Sequence, residues 1–161
     1  MTTLTLRPLT AEAFAPYGDV IECSGAPDKI INQGMCGRHH DLAQIDSGPG
    51  RTGISLFDAK ARALPYRLDL MERHPLGSQA FIPLDNVPMI VSVAPDADGK
   101  PGTPEVFLSQ PGQSINIHRN VWHGVLAPLG APGRYVVVDH ISDLPNLEEH
   151  WLEDPYDILD Q

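Results

Sequence analysis

A chain of 161 residues, 42% of them hydrophobic, has the length and apolar content of one small domain, and we expect a single domain over residues 1–161. Its formal net charge of -10 and its scattered basic residues exclude nucleic acid as a partner, because binding to phosphates needs a basic face. Sixteen prolines and fourteen glycines disfavour a helical bundle and favour short strands joined by turns.

The expected compartment follows from three features that the sequence lacks. Cys23 and Cys36 are too few for a disulfide framework. Residues 1–10 hold no apolar signal-peptide core, and no apolar run approaches the roughly 20 residues of a membrane helix. We therefore expect a cytoplasmic protein that does not contact a membrane.

Apolar alternation and turn residues divide the chain into about ten short strands, preceded and followed by a short helix. Thr10 has the residue type of a helix cap and predicts a helix through Phe14 that ends at Pro16. The predicted strands are residues 19–22, 29–32, 52–57, 64–71, 79–82, 87–94, 105–109, 114–117, 121–127 and 134–141.

The remaining segments are predicted to be loops, a second helix and an acidic tail. Residues 47–50 and 96–102 have the composition of turns. Asn146 is the predicted cap of a helix through Trp151, and the acidic residues beyond it are expected to be solvated. Ten strands in one domain must close into a barrel or stack as a sandwich, so the predicted fold is all-β with short helices, arranged as a jelly roll.

The strand predicted at residues 64–71 leads into two side chains of the kind that bind metals. Apolar residues occupy positions 64, 66, 68 and 70, and the same period of two brings Glu72 and His74 onto that face. They would then lie at the mouth of a barrel cavity. The alternative is that a turn begins at Pro75 and that both side chains face solvent.

A second group of polar residues surrounds two histidines in the stretch PGQSINIHRNVWHGVL, residues 111–126. His118 and His123 lie five positions apart, with Arg119, Asn120 and Trp122 between them. A single histidine is more often structural than functional, but this density of polar and aromatic side chains favours a site.

The two stretches together resemble the motifs of cupins, in which a small β-barrel holds a metal. PGxxxxIxxxVWH is similar to the second cupin motif, whose final histidine corresponds to His123. ERHPLGSQ lies over the first motif, HxHxxxxE, with Glu72, His74 and Gln79 at the places of the first histidine, the second histidine and the glutamate. The resemblance implies a cupin-like jelly-roll β-barrel, or double-stranded β-helix, with Glu72, His74, Gln79 and His123 as metal ligands. Because an amide is a weaker ligand than a carboxylate, the sequence leaves both a divalent metal and a metal-free site open.

A narrower resemblance is to the ureidoglycolate lyase family. ERHPLGSQAFIP at residues 72–83 and HRNVWH at residues 118–123 are similar to its two signature stretches, and FAPYGDVI at 14–21 and RHHDLA at 38–43 extend the similarity. The resemblance implies cleavage of (S)-ureidoglycolate to glyoxylate and urea in allantoin breakdown, nickel as the metal and a homodimer.

That reaction suggests roles for the remaining polar residues. Loss of the substrate hydroxyl proton lets urea leave as glyoxylate forms, which needs a group to move the proton and a cation to hold the carboxylate. Glu72 and His118 are the candidate catalytic residues. The candidate substrate-binding residues are Arg119, Arg73, Asn32 and His39, although surface ion pairs are the alternative for both arginines.

Two other classes of function stay open on the residues alone. Two histidines and a carboxylate also form the facial triad of iron oxygenases, and some cupins are sugar epimerases. A non-catalytic domain that binds a small anion would have the same composition.

Overall fold

The chain folds into β-strands with very little helix, as its composition predicts. The computed structural model describes residues 2–160, so Met1 and Gln161, the two ends of the predicted domain, lie outside the described residues. The strands are β1 (Thr2–Thr5), β2 (Arg7–Pro8), β3 (Gly18–Ile21), β4 (Lys29–Ile31), β5 (Cys36–Arg38), β6 (Arg51–Ala59), β7 (Tyr66–Arg73), β8 (Gln79–Pro83), β9 (Met89–Ala94), β10 (Asp96–Ala97), β11 (Lys100–Pro101), β12 (Glu105–Leu108), β13 (Ser114–Ile117), β14 (Trp122–Gly124), β15 (Ala127–Pro128), β16 (Gly133–Ile141) and β17 (Glu148–Leu159). The helices are α1 (Ala11–Phe14) and a 3-10 turn (Asn32–Gly34).

Two sheets face each other in the jelly-roll arrangement. One has five strands in the order β3-β13-β8-β16-β6, and the other has eight, in the order β1-β17-β7-β14-β9-β12-β2 with β15 beside β9. Along the chain β6, β7, β8 and β9 alternate between the sheets, and β12, β13, β14 and β16 do the same. All pairings among these eight strands are antiparallel. The predicted all-β, jelly-roll fold is confirmed.

Apolar side chains form two separate cores, one on each face of the larger sheet. The first core fills the space between the sheets and includes Phe81, Val93, Ile117 and Val137. The second core covers the other face of the eight-stranded sheet. β1 and β2 are the strands at the two opposite edges of this sheet, and only one residue, the buried Leu6, separates them in the chain. The two edges therefore lie close together and enclose this face. The larger sheet is therefore curved around the second core, and its other face lines the space between the two sheets.

The C-terminal prediction was wrong, since a long strand replaces the helix expected after Asn146. β17 pairs with β7 in antiparallel fashion and with β1 in parallel fashion. Tyr156 and Ile158 pack in the second core, so burial of apolar area outweighs the local signal of the helix cap.

The region predicted as a loop at residues 96–102 also holds the small hairpin of β10 and β11. Thr10 caps α1 as predicted, because its hydroxyl accepts a hydrogen bond from Ala13 N at 3.2 Å.

The strict alternation predicted for residues 64–74 breaks inside β7. Leu68 and Met71, three positions apart, pack in the same second core. The partner strand β17 changes register opposite this point, between Trp151 and Tyr156. Such an irregularity shifts which side chains face inward. Glu72, which pairs with His123, faces the space between the sheets, whereas Leu64, Tyr66 and Leu68 face the second core, so the prediction that all of them share one face was wrong.

Among the residues that the structure describes, no helix is long and apolar enough to cross a membrane.

Candidate metal centre

Three side chains that can bind a metal converge at one end of the space between the sheets. Strand register brings Glu72 of β7 directly opposite His123 of β14, and His74 follows one residue after the end of β7. One ligand atom from each of the three lies within 4.8 Å of those of the other two. The two imidazole rings are 5.3 Å apart between centroids, and His74 Nε2 lies 4.0 Å from Glu72 Oε1. Residues about 50 positions apart are therefore joined by the β7–β14 pairing.

Both imidazoles are held so that Nε2 points a free lone pair into this group. His74 Nδ1 lies 2.7 Å from the carbonyl oxygen of Asn146, and His123 Nδ1 lies 3.0 Å from that of Gly124. A carbonyl only accepts, so each Nδ1 donates its hydrogen to the carbonyl, and in a neutral ring Nε2 presents a lone pair. Both Nε2 atoms are buried and have no hydrogen-bond partner among residues 2–160. Histidines that bind metals are oriented by carbonyl partners of this kind.

Gln79 contributes an oxygen to the same small space. It lies on β8 between Ile117 and Asp139 of the neighbouring strands and is only 6% exposed. Its Nε2 donates to Asp139 Oδ2 at 3.1 Å, which leaves Oε1 buried and without a partner in the described part of the chain. His74, Gln79 and His123 line one pocket. The fourth residue predicted as a ligand is therefore beside the two histidines.

Burial controls the charges of this group. Desolvation, and then the neighbouring His74, lower the pKa of His123 to about 4, so its ring is neutral at neutral pH. Desolvation raises the pKa of Glu72, and Glu149 raises it further, while His74 opposes the change. A bound cation would relieve the cost of burying the Glu72 carboxylate.

The donor set fits a divalent metal ion. It comprises two imidazole nitrogens, one carboxylate and one amide oxygen, which suits a first-row transition metal better than calcium. Three of these groups present buried acceptor atoms that lack a hydrogen-bond donor within residues 2–160. A cation would satisfy them all, since leaving a buried polar atom unpaired costs about 1–3 kcal/mol.

The turn between His74 and Gln79 is held in place by a distant residue, Asn146. Its side-chain oxygen accepts a hydrogen bond from Leu76 N at 2.7 Å, while its main-chain oxygen accepts from His74. Gly77 lets this turn approach the backbone of Asp46 closely, because a Cβ at residue 77 would lie 2.6 Å from the carbonyl oxygen of Asp46. Asn146 thus fixes both the turn and the ring that begins it.

Asn120 adopts a left-handed backbone conformation between the two histidines of the second motif. Its φ is 63°, and its amide donates to the carbonyl oxygen of His74 at 3.0 Å. Non-glycine residues rarely adopt this conformation, and asparagine tolerates it better than most. The turn therefore ties the segment before His123 to the strand end that carries His74.

His118 lies between a separate surface cavity and the candidate ligands Glu72, His74, Gln79 and His123, which we call the metal group. Its Nε2 lies 3.0 Å from Asp19 Oδ2, and its side chain is 48% exposed. It lines the pocket of His74 and His123, and also a cavity of about 500 Å³ that includes Arg119 and Asp46. Arg119 donates to the carbonyl oxygen of Pro75 at 2.6 Å and lies 3.9 Å from Asp46. His118 and Arg119 are both near the metal group, but the contacts described for their side chains are with Asp19, Pro75 and Asp46 and not with the candidate ligands.

Arg73 lies on the other side of β7 and is fully engaged there. It bonds Glu148 at 2.6 Å and Asp96 at 2.7 Å, and its guanidinium stacks 4.4 Å from the ring of Trp122. Trp122 in turn donates to Asp96 at 2.9 Å. The structure does not bring Arg73 together with the metal group, because neighbouring residues of a strand point to opposite faces.

Asn32 and His39 lie on or beside the hairpin of β4 and β5, away from the ligands. Asn32 is exposed and begins the 3-10 turn with a φ of 52°. His39 follows β5 and lines a surface groove together with Cys23 and Cys36. Neither lines the pocket that holds His74 and His123.

The residues that orient the candidate ligands were not predicted from the sequence. Asp139 is 60 residues from Gln79, and Asn146 is 72 residues from His74. Nothing in the spacing of these residues points to the pairs, which depend on strand register. Asn146 did stand out in the sequence, but as the cap of a helix that does not form.

The chain is similar to curated and solved proteins over most of its length. The sequence model described as Ureidoglycolate lyase matches residues 1–159. The Ureidoglycolate lyase of Rhodobacter capsulatus is 64% identical over 156 residues, covering 96% of this chain and 97% of that protein. Ureidoglycolate lyase 2 of Rhizobium meliloti is 50% identical over 160 residues, 98% of each chain. A structure of RmlC from Streptococcus suis in complex with dTDP-D-xylose aligns with a TM-score of 0.38 and 14% identity, over 90% of this chain and 56% of that one.

Proposed function

The chain belongs to the ureidoglycolate lyase family, and from this membership we propose that it cleaves (S)-ureidoglycolate to glyoxylate and urea. The observation that carries the proposal is the group of Glu72, His74 and His123, whose two imidazoles have buried Nε2 atoms without a hydrogen-bond partner among residues 2–160. We further propose that residues 1–161 act as a single domain.

The metal ligands that we propose are Glu72, His74, Gln79 and His123, and nickel is the metal that family resemblance favours. Their buried acceptor atoms and mixed nitrogen and oxygen donors support this assignment. When bound, a divalent ion would supply a Lewis acid for the carboxylate and hydroxyl of the substrate. The protein's own contribution is to hold the ligands in a dry, fixed arrangement through Asn146, Gly124 and Asp139.

Cleavage needs one proton to leave the substrate hydroxyl and one to reach the departing nitrogen. As the hydroxyl oxygen becomes the carbonyl of glyoxylate, the carbon–nitrogen bond breaks and urea leaves with the added proton. We assign this transfer to His118 with Glu72 as the second candidate. Because the Asp19 carboxylate accepts from His118 Nε2, the free Nδ1 is the nitrogen available to move a proton.

The substrate carboxylate needs a cationic partner, and Arg119 is the better placed of the two arginines. It lines the cavity beside His118 and is 45% exposed in its side chain, so it can turn toward a ligand. Arg73 has its charge engaged by Glu148 and Asp96. Asn32 and His39 stay predictions, with no contact to the metal group to support them.

We also propose that the protein is a cytoplasmic homodimer that acts in allantoin breakdown. Self-association is supported by two exposed apolar side chains on the outer face of the five-stranded sheet. Ile54 and Leu56 of β6 are 76% and 72% exposed. Phe57 of the same strand points to the other face, where its ring packs against that of Phe81. Exposed apolar area of this kind is typical of protein interfaces.

The experiment that tests the function measures glyoxylate and urea released from racemic ureidoglycolate by the purified protein. Turnover is followed before chelation, after chelation and after nickel or manganese is restored. Urea without ammonia, lost on chelation and regained with metal, is the expected result. The His123→Ala variant serves as the control, because it removes a ligand. No turnover with any metal would overturn the proposal.

A second function has one specific observation in its favour. Two histidines and a carboxylate form the facial triad that binds iron in many oxygenases, and Glu72, His74 and His123 have this composition. Oxygen uptake by the iron-loaded protein with small acids would identify that activity. A protein that binds such acids without turnover would instead be the non-catalytic domain considered from the sequence.

A further inference from the structure

We propose that Asp139 is a positioning residue that fixes the amide of Gln79 with its oxygen facing the metal ligands. The proposal rests on the metal site of the proposed function and goes beyond it, because Asp139 itself contacts no ligand atom of Glu72, His74 or His123 by the hydrogen bonds of the described residues.

Strand register places the two side chains beside each other. Asp139 of β16 pairs directly with Gln79 of β8, so both side chains lie on the same face of the five-stranded sheet. That face is the one that carries Phe81 and Val137 into the first core. Gln79 is 6% exposed, so its amide has little access to water.

The chemistry of the two groups then decides the orientation of the amide. A carboxylate only accepts hydrogen bonds, so the group that meets Asp139 must be the NH₂ of Gln79. The distance from Gln79 Nε2 to Asp139 Oδ2 is 3.1 Å. The amide oxygen is thereby turned away from Asp139 and is left without a donor within residues 2–160, in the pocket of His74 and His123.

Without Asp139 the opposite orientation would become favourable. A rotated amide would direct its NH₂ at the free Nε2 atoms of His74 and His123, which lack a donor in the described part of the chain. The amide would then satisfy buried acceptors itself and block them as ligands. Asp139 prevents this by competing for the same NH₂ group with a charged acceptor, which forms the stronger hydrogen bond.

Asp139 also places a negative charge just behind a neutral ligand. A carboxylate that accepts from an amide NH₂ polarises the amide and increases the electron density on its oxygen. The pair therefore gives Gln79 part of the donor strength of the glutamate that occupies this place in the common cupin motif.

The test measures the affinity of the metal-free protein for nickel and cobalt by competition with a coloured chelator, without substrate. Asp139→Leu should weaken binding by about 10- to 100-fold, the usual effect of losing a group that orients a ligand. Asp139→Asn should weaken it less, since its side-chain oxygen can still accept from Gln79. Asp58→Leu, which removes an exposed carboxylate from β6, should leave the affinity unchanged.

Two further variants test whether Asp139 acts through Gln79. In a Gln79→Leu background, Asp139→Leu should cause no additional loss of affinity. Gln79→Glu alone sets two carboxylates against each other, and adding Asp139→Asn should restore a donor to the new glutamate and raise the affinity above that of Gln79→Glu. The side-chain NH₂ resonances of Gln79 in the metal-free protein should shift in Asp139→Leu, and thermal unfolding checks that each variant is folded.

The outcomes separate this proposal from the proposed function. Unchanged affinity in folded Asp139→Leu, equal losses with and without Gln79, or no metal binding by the natural protein would each overturn the role of Asp139. Lyase turnover in any of those cases would leave the proposed function standing. Metal binding that depends on the pair without turnover of ureidoglycolate would support the role of Asp139 and overturn the proposed function.

Discussion

Lowering the pH should destabilise the metal-free protein through one residue, His123. Its pKa falls from the ordinary 6.5 to about 4 on folding because its ring is buried. Between those two pH values the unfolded chain binds a proton that the folded chain does not, so stability rises with pH across this window and is complete above it. At about 1.4 kcal/mol per pKa unit, the full effect is about 3 kcal/mol, of which about 2 kcal/mol is lost by about pH 5.

The assay is urea-induced unfolding of chelator-treated protein at steps from about pH 7 to about pH 5. Burial raises the pKa of Glu72, so the folded protein holds a proton on this carboxyl more tightly than the unfolded chain does. The contribution of Glu72 to the free energy of unfolding therefore falls as the pH rises, opposite to that of His123. The comparison is therefore with His123→Asn, which does not titrate and can still donate to the carbonyl of Gly124. We expect this variant to lack most of the acid-dependent loss, and His118→Asn, at a half-exposed position, to retain it. Equal losses in the natural protein and in His123→Asn would refute the reasoning.

Three further predictions concern the residues around the site. His74→Ala and His123→Ala should each lower urea release by more than about 100-fold while the protein stays folded, since each removes a ligand nitrogen; loss of the fold in step with activity would contradict the assignment. Asn120→Val should lower the free energy of unfolding by about 1–3 kcal/mol, and Asn120→Gly by much less, because only the first strains the left-handed backbone. Arg73→Ala should cost about 1–2 kcal/mol of stability through its lost ion pairs and its contact with Trp122, with the KM for ureidoglycolate unchanged; a raised KM would instead support substrate binding.

The sequence predicted the strands better than the ends of the chain. The ten predicted strands all correspond to observed ones, because apolar alternation between turn residues is a local signal. The missed elements are short edge strands such as β1 and β2, and the long strand β17. β17 is strand because β7 and β1 pair with it on both sides, and a cap at Asn146 does not outweigh those bonds.

The candidate ligands were identified from residue types, but their arrangement was not. His74, Gln79 and His123 line one pocket, and Glu72 lies beside the two histidines, while their role as metal ligands stays a prediction. The prediction that Glu72 shares a face with Leu64, Tyr66 and Leu68 was wrong, because those apolar residues pack in the second core and the break in alternation before Met71 turns Glu72 to the opposite face. Arg73, predicted as a substrate contact, points to the other face of its strand.

The sequence by itself determined the all-β class, the strand positions and the two motifs that carry the candidate ligands, because these depend on side-chain type and on neighbours along the chain. Only the tertiary structure decided which atoms of those ligands are free to bind. The hydrogen on each histidine is fixed by a carbonyl oxygen, and the amide of Gln79 is fixed by Asp139, 60 residues away. Strand pairing creates those contacts, and pairing depends on which apolar surfaces are buried together, so no local stretch of sequence encodes it.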